Sequence, residues 1–314
     1  MIAAFAPATV SNVAAGFDVL GFALAQPGDV VLASLTEGDG ATITDIQGDD
    51  GRLPRDAGRN TASAAANALL VALGTRQGVA LAVHKGLPLA SGVGSSGASA
   101  VAAVVAVNEL LGRPASLDLL LRCAMAGEQA GCGAVHPDNV APALYGGFVL
   151  ARSADPPDIV RLPVPAGLAC AVLHPAMEVH TGTARALLGD TVPLKDAVRQ
   201  WANLGALVSA LHTGDLALLG RSLEDHVAEP KRAGLVPGFH AVKAAALAGG
   251  ALGCSLSGSG PSMFALARSL DEATAAGRAM AAAWAATSSG IPADLWVSPV
   301  GTSGARVITA EAAR

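Results

Sequence analysis

Lysine is scarce in this chain of 314 residues: only Lys85, Lys195, Lys231 and Lys243 occur, and none follows a glycine. A Walker A phosphate loop, which needs Gly-Lys-Ser/Thr, is therefore excluded. Aromatic residues make up 3% and the net charge is −5. Without a basic stripe interleaved with stacking rings, nucleic acid is not an expected partner. Hydrophobic content is 52%, yet no apolar run reaches the length of a membrane helix, so a large core is expected and no membrane span. Cys123, Cys132, Cys170 and Cys254 show no C-x-x-C spacing. They read as buried thiols in a reducing compartment. The first residues, Met1 to Pro7, lack a basic n-region, so no signal peptide is expected. These absences point to a soluble cytoplasmic protein of one large domain or two ordinary ones.

Glycine is plentiful, and it gathers before an Ala-rich run. Pro88, Leu89, Ala90, Ser91, Gly92, Val93, Gly94, Ser95, Ser96, Gly97 and Ala98 lead into Ser99–Leu111, which is free of Gly and Pro and stops at Gly112-Arg113-Pro114. A glycine loop entering a helix aims several main-chain N–H groups at one point, and the helix dipole adds about half a positive charge there. The hydroxyls of Ser95 and Ser96 can donate to phosphate or bind a metal. This is an anion cradle, and a nucleotide phosphate is the expected anion. Gly92-x-Gly94-x-x-Gly97 also fits the dinucleotide fingerprint, but Pro88 separates the loop from the strand-like Val79–His84 and Glu109 is the next acid, too close. Gly94-x-Ser96-x-Ala98 imitates a nucleophile elbow without a strand running into the serine. A plain tight turn is the bland alternative.

Three further segments carry polar groups on loops. Ser11 to Gly21 holds Asn12 and Asp18. Gly133 to Pro142 holds His136, Asp138 and Asn139 between two prolines that are expected to stop a helix; these groups can carry chemistry or merely tie a turn. Ser257-Gly-Ser-Gly-Pro-Ser262 is a second glycine loop. Strands are expected at Val30–Ser34, Ala41–Ile46, Gly78–His84, Leu168–Leu173, Cys254–Leu256, Met263–Ala267 and Leu295–Ser298. Helices are expected at Thr61–Leu73 behind Asn60, Leu117–Ala130 behind Ser116, Leu194–Leu211, Leu216–Val227, Phe239–Ala248 and Asp271–Ala286. Glu128 falls in a last helical turn, where the dipole disfavours a carboxylate. Lys85 reads as a solvated surface lysine. Residues 153–158 read as a hairpin tip or domain joint. Mixed helices and strands joined by strand-to-strand turns suggest an α+β protein in two layers.

Taken together and in this order, the three loops resemble those of the GHMP kinase superfamily. Pro88-x-x-x-Gly92-x-Gly94-Ser95-Ser96 is similar to its central ATP motif. Pro7 to Gly21 resembles the first motif in its homoserine form, and Ser257–Ser262 resembles the third. His136-x-Asp138-Asn139-Val-Ala-Pro142 and Glu229-Pro230-x-Arg232 point to the same homoserine branch. Val10 and Gly97 depart from the commoner pattern by small changes.

The resemblance implies an α+β, two-domain GHMP kinase fold: a ribosomal-protein-S5-like N-terminal domain over 1–155 and a ferredoxin-like α/β sandwich over 156–314, with the site between. It implies ATP-dependent phosphorylation of the L-homoserine hydroxyl, giving O-phospho-L-homoserine and ADP on the way to threonine. Residues 88–98 would wrap the triphosphate, with Asn60 and Lys85 near the nucleotide. Ser96 and Glu128 would hold Mg²⁺. Asn12, Asp18, His136, Asn139, Arg185 and Arg232 would bind the substrate, the arginines taking its carboxylate and Asp18 its ammonium or hydroxyl. Ser96, Glu128, Asn139 and Arg185 would form the catalytic group, with Asn139 facing the hydroxyl and the general base unassigned. A homodimer is implied as well. The rivals are a related kinase for mevalonate, shikimate or a sugar, and a catalytically silent nucleotide-binding paralogue.

Overall fold

The computed structural model describes residues 1–287 and 290–309, with the side chain of Cys132 outside that set. The first half runs β1 (Ile2–Ser11), β2 (Leu20–Thr36), β3 (Ala41–Gln47), α1 (Thr61–Ala72), β4 (Gly78–His84), α2 (Ser95–Leu110), α3 (Leu117–Cys132) and α4 (Pro137–Tyr145). A hairpin of β5 (Phe148–Ala154) and β6 (Pro157–Leu162) follows. The second half runs β7 (Ala169–Pro175), α5 (Thr181–Ala186), α6 (Leu194–Thr213), α7 (Leu216–Ser222) and α8 (Glu229–Arg232). It continues through α9 (Phe239–Ala248), β8 (Gly253–Leu256), β9 (Met263–Ala267), α10 (Leu270–Thr287), β10 (Ala293–Pro299) and β11 (Arg306–Ile308).

Two sheets organise these elements, as expected for an α+β protein. The larger has the order β11-β1-β2-β4-β3, with β5 beside β2 and β6 beside β5. The smaller, β10-β7-β9-β8, is antiparallel throughout. The β5–β6 hairpin turns at residues 155–156, where the two domains were expected to divide, and both its arms stay in the larger sheet. The terminal strand β11 also returns to that sheet, against β1.

Helix α2 is the centre of the first core. Its Ala and Val side chains from Ala98 to Val107 are almost all buried, whichever way they point. A helix apolar all round must be enclosed. Here α1, α3 and α4 surround it above β1 and β2. The small side chains permit that close approach. The two halves are joined by aromatic packing: Phe22 lies 4.8 Å from Phe148 and meets Phe264 of the smaller sheet edge-on at 6.1 Å. The Ser298 hydroxyl accepts the N–H groups of Ala25 and Gln26 at 2.9 and 3.2 Å. Cys123, Cys170 and Cys254 are buried and unbridged, and burial pushes the Cys123 thiol up to about 11.

Several expectations are corrected. Strand β2 begins at Leu20, ten residues before the expected strand at Val30. Pro27 and Gly28 mask the pattern, and the β1–β2 register shifts between Pro7 and Thr9. Helix α2 starts at Ser95, so the end of the expected phosphate loop is its first turn. Residues 137–145 are helix, not a proline-bounded loop. Pro137 sits in the first turn, where its missing N–H costs nothing. Pro142 is accommodated inside because Val140, Ala141, Ala143 and Leu144 are buried around it. Residues 229–232 form one helical turn, and α7 ends at Ser222, short of the expected Val227. Lys85 is not a surface lysine: its side chain is 1% exposed and paired with Asp29.

Phe22 touches both halves of the molecule, so truncating it opens a cavity where they meet. Phe22→Ala is expected to lower unfolding free energy by about 3–5 kcal/mol, checked by denaturant titration against the parent chain.

Candidate active site

The expected anion cradle corresponds to the way α2 begins. Its N-cap is Gly94 at φ +70°, and no side chain caps the helix. The first N–H groups of a helix have no partner within it, so the end of α2 faces the cleft with main-chain donors to spare. Gly92 and Gly94 are both required by contact as well as by φ. A Cβ at Gly94 would lie 2.1 Å from the Thr9 hydroxyl, and one at Gly92 would lie 2.5 Å from the Ser257 carbonyl. The second glycine loop is packed onto the first: Ser257 Oγ donates to the Gly92 carbonyl at 2.7 Å and the Ser262 N–H to the Ser91 carbonyl at 3.2 Å. The two halves therefore build the cradle together.

A cleft of about 790 Å³ opens in front of it. Ser11, Asn12, Asp18, Asn60, Lys85, Leu89, Ala90, Ser91, Gly92, Gly94, Ser95, Ser96, Glu128, His136, Asp138, Asn139, Arg185 and Arg232 all line it. Pro88, Val93, Gly97 and Ala98 do not; Val93 and Ala98 are fully buried and serve the core. Asn60 is held as the cap of α1, accepting the Ala62 N–H at 3.0 Å and donating to the Pro54 carbonyl at 2.9 Å.

On one side of the cleft, Ser96 Oγ donates to Glu128 Oε1 at 3.0 Å. Glu128 is 2% exposed, and its other oxygen accepts the His136 N–H at 3.1 Å. Its carboxylate beside the His136 ring holds the imidazole pKa above the ordinary value. A half-buried hydroxyl and a buried carboxylate beside the main-chain N–H groups of a helix start are a hard-oxygen donor set that fits Mg²⁺. Among the described residues no cluster of three or more His, Cys, Asp or Glu forms a metal cage. Two protein ligands suit an ion that keeps waters and phosphate oxygens in its shell.

On another side lie three charged groups. Asn12, at φ +67°, accepts the Asp18 N–H at 3.0 Å and donates to the Gly258 carbonyl at 3.0 Å. Asp18 takes both oxygens to one nitrogen of Arg185, at 2.9 and 2.7 Å, with the side chains 39% and 50% exposed. Arg232 is 3% exposed. It donates to the carbonyls of Ala184 and Gly258, each at 3.2 Å, and its guanidinium lies 5.2 Å from the Phe17 ring centroid. Burial lowers its pKa, though a guanidinium stays charged. Asn139 lies in the first turn of α4, and its side-chain oxygen accepts from Thr9 Oγ1 at 2.8 Å. Asp138 beside it is buried, and burial, then the charge of Asp18, pushes its carboxyl to about 7.

Sequence reasoning missed Thr9 and Asp29. Thr9 is one polar residue in an apolar strand, and Asp29 follows a Pro-Gly pair that reads as a turn. Thr9 does lie inside the Pro7–Gly21 stretch that resembles the first motif, which could have singled it out, whereas Asp29 carries no spacing signal.

Comparison with known proteins shows the family and the fold. Residues 60–147 match the family model of the GHMP kinases N terminal domain, and residues 207–286 that of the GHMP kinases C terminal. The chain is 50% identical over 314 residues to a homoserine kinase of Chlorobium phaeovibrioides, covering 97% of this chain and 98% of that one. It is 42% identical over 297 residues to a homoserine kinase of Pyrococcus furiosus, covering 95% and 97%. A crystal structure of homoserine kinase from Cytophaga hutchinsonii superposes with a TM-score of 0.95 at 52% identity, over 98% of this chain and 97% of that one. The mevalonate kinase of L. major shares the fold, with a TM-score of 0.71 at 18% identity over 94% and 95%.

Asp138 makes stability depend on pH. Below its ordinary value of 3.8 the carboxyl is protonated whether the chain is folded or not. Between there and about 7 only the folded chain keeps the proton, so Asp138 erodes stability as pH rises through that window. Asp138→Asn is expected to stabilise the fold by about 1–3 kcal/mol more at pH 8 than at pH 4. Urea titrations at the two pH values check it; an equal effect at both would contradict the raised pKa.

Proposed function

The chain belongs to the GHMP kinases, among the homoserine kinases, and on that premise we propose that it transfers the terminal phosphoryl group of ATP to the side-chain hydroxyl of L-homoserine. One observation carries the proposal: a single cleft holds both an uncapped helix start beside a Ser–Glu pair and a separate set of two arginines and an aspartate. The first set suits a nucleotide triphosphate. The second suits a small zwitterion.

Main-chain N–H groups at the start of α2 and in residues 88–94 bind the triphosphate, so no Walker lysine is needed. Ser96 and Glu128 hold Mg²⁺, which when bound neutralises charge on the phosphate oxygens. Asn60 and Lys85 border the nucleotide end of the cleft. Arg232 and Arg185 take the substrate carboxylate, because a planar fork matches it. Asp18 takes the ammonium. The Asp18–Arg185 pair is half exposed, so separating it to admit the substrate costs little. Asn12 and His136 complete the pocket.

Thr9 orients the chemistry. By donating to the Asn139 side-chain oxygen it leaves the amide N–H₂ of Asn139 to donate toward the acceptor hydroxyl oxygen. A loose phosphoryl-transfer transition state asks mainly for alignment and charge neutralisation. Asn139 can therefore orient the hydroxyl without first removing its proton. The pocket thereby suits a primary alcohol on a short amino acid better than mevalonate, shikimate or a sugar, none of which carries both a carboxylate and an ammonium. We further propose a cytoplasmic homodimer; the buried, unbridged thiols suit a reducing compartment.

ADP release from MgATP, measured against L-homoserine, mevalonate, shikimate and galactose, tests the function. Turnover is expected with homoserine alone. Arg232→Ala is expected to lower kcat/KM for homoserine by about 100-fold or more, and Glu128→Ala to lower kcat by a similar factor. Turnover on another acceptor would overturn the substrate; nucleotide binding with no turnover on any would favour a silent paralogue.

A further inference from the structure

Behind the phosphate cradle lies an ion pair that no step above uses. Asp29 is 0% and the Lys85 side chain 1% exposed. The antiparallel pairing of β2 with β4 ends at Val30 opposite His84, so Asp29, still paired with Ala6 of β1, and Lys85 come just past the end of that ladder. Asp29 collects donors from two segments, residues 85–87 after β4 and helix α2. It accepts from Lys85 Nζ, from Ser99 Oγ at 2.6 Å, and from the N–H groups of Gly86 and Leu87 at 3.0 and 3.2 Å. Lys85 is equally committed. Besides Asp29, its ammonium donates to the Ser95 carbonyl at 2.9 Å and approaches Ser99 Oγ at 2.8 Å. Ser95 Oγ closes the set by donating to the Leu87 carbonyl at 3.2 Å.

The consequence is geometric. Gly86 and Leu87 open the glycine loop, and Ser95 and Ser99 are the first two turns of α2. Both ends of the cradle are thus tied to one buried carboxylate. Ser96, the next residue after Ser95, is the one that meets Glu128. A dry ion pair is a poor source of stability, since an apolar pair of similar size often serves as well. What it supplies that an apolar pair cannot is directional bonds to particular main-chain atoms of the loop and helix.

Resting on the kinase function proposed above, we infer that Asp29 is a positioning residue: with Lys85 and Ser99 it sets the spacing between the glycine loop and the start of α2, and so the affinity for the nucleotide phosphates. Lys85 acts through this network, its ammonium already occupied, rather than as a free phosphate-binding cation.

The charge-balanced double variant Asp29→Asn/Lys85→Met separates positioning from mere structural support. Asp29→Asn alone leaves a buried ammonium short of its counter-charge and is expected to lower the thermal midpoint by about 10 °C. The double variant is expected to recover most of that midpoint while binding MgADP about tenfold more weakly than the parent. Its KM for homoserine should stay within about twofold of the parent, because the arginine side is untouched. Ser99→Ala, which keeps the ion pair and is the milder change, should weaken MgADP binding severalfold with little loss of midpoint. MgADP affinity is read by equilibrium titration without acceptor, so the result stands whether or not homoserine proves to be the substrate. Parent-like MgADP affinity in the double variant or in Ser99→Ala would overturn the inference. So would a Lys85→Met variant that weakens MgADP binding as the double does beside a folded Asp29→Asn that binds like the parent, since Lys85 would then contact the nucleotide directly.

Discussion

Helix α2 is buried along nearly its whole length, and its first N–H groups meet no side-chain cap. Burial fixes where those donors point, because a helix packed by α1, α3, α4 and the larger sheet has no freedom to tilt. The cost of leaving donors unsatisfied is avoided only by water or an anion at that end. Much of the site can be understood as what is arranged around this one helix start. Gly92 and Gly94 let the backbone turn there, the second glycine loop braces it from the other half, and Glu128 reaches Ser96 from α3.

Three kinds of charged contact sit in or behind the cleft, and their burial separates their duties. The Asp29–Lys85 pair is dry and every donor is spent, so it can define distance but cannot be exchanged. Arg232 is dry too, yet it is held only by two carbonyl oxygens and the face of Phe17. Among the described residues no carboxylate makes an ion pair with it, which leaves its charge ready for one. Asp18 and Arg185 are half exposed and bonded to each other. Water screens that pair, so a zwitterion can replace it group for group at small cost. A rigid, a waiting and an exchangeable contact are thus combined in one cleft.

Much of this was legible in the sequence. The uninterrupted apolar run after a glycine loop marked α2, because only enclosure explains a helix without a polar face. The residues expected to bind substrate, from Asn12 to Arg232, do line one cleft. Less legible were the places where local rules were outvoted. Pro137 and Pro142 read as helix stops, but the first fits a helical first turn and burial of the neighbouring apolar side chains holds the second. Lys85 read as solvated because nothing local distinguishes a paired lysine from a free one.

The sequence by itself determined the anion cradle, the absence of a Walker lysine and the identity of the polar groups, since these depend on residue type and short spacing. Only the tertiary structure decided which groups are free to act. Asp29 and Lys85 are 56 residues apart, and Thr9 and Asn139 130 apart. Their pairing depends on strand register and helix packing, which no local pattern encodes. The same packing buries Asp138 beside Asp18 and raises its pKa, while leaving Asp18 itself open to solvent and to Arg185. Proximity across the fold, and the water it excludes, gathered a list of polar residues into one cleft.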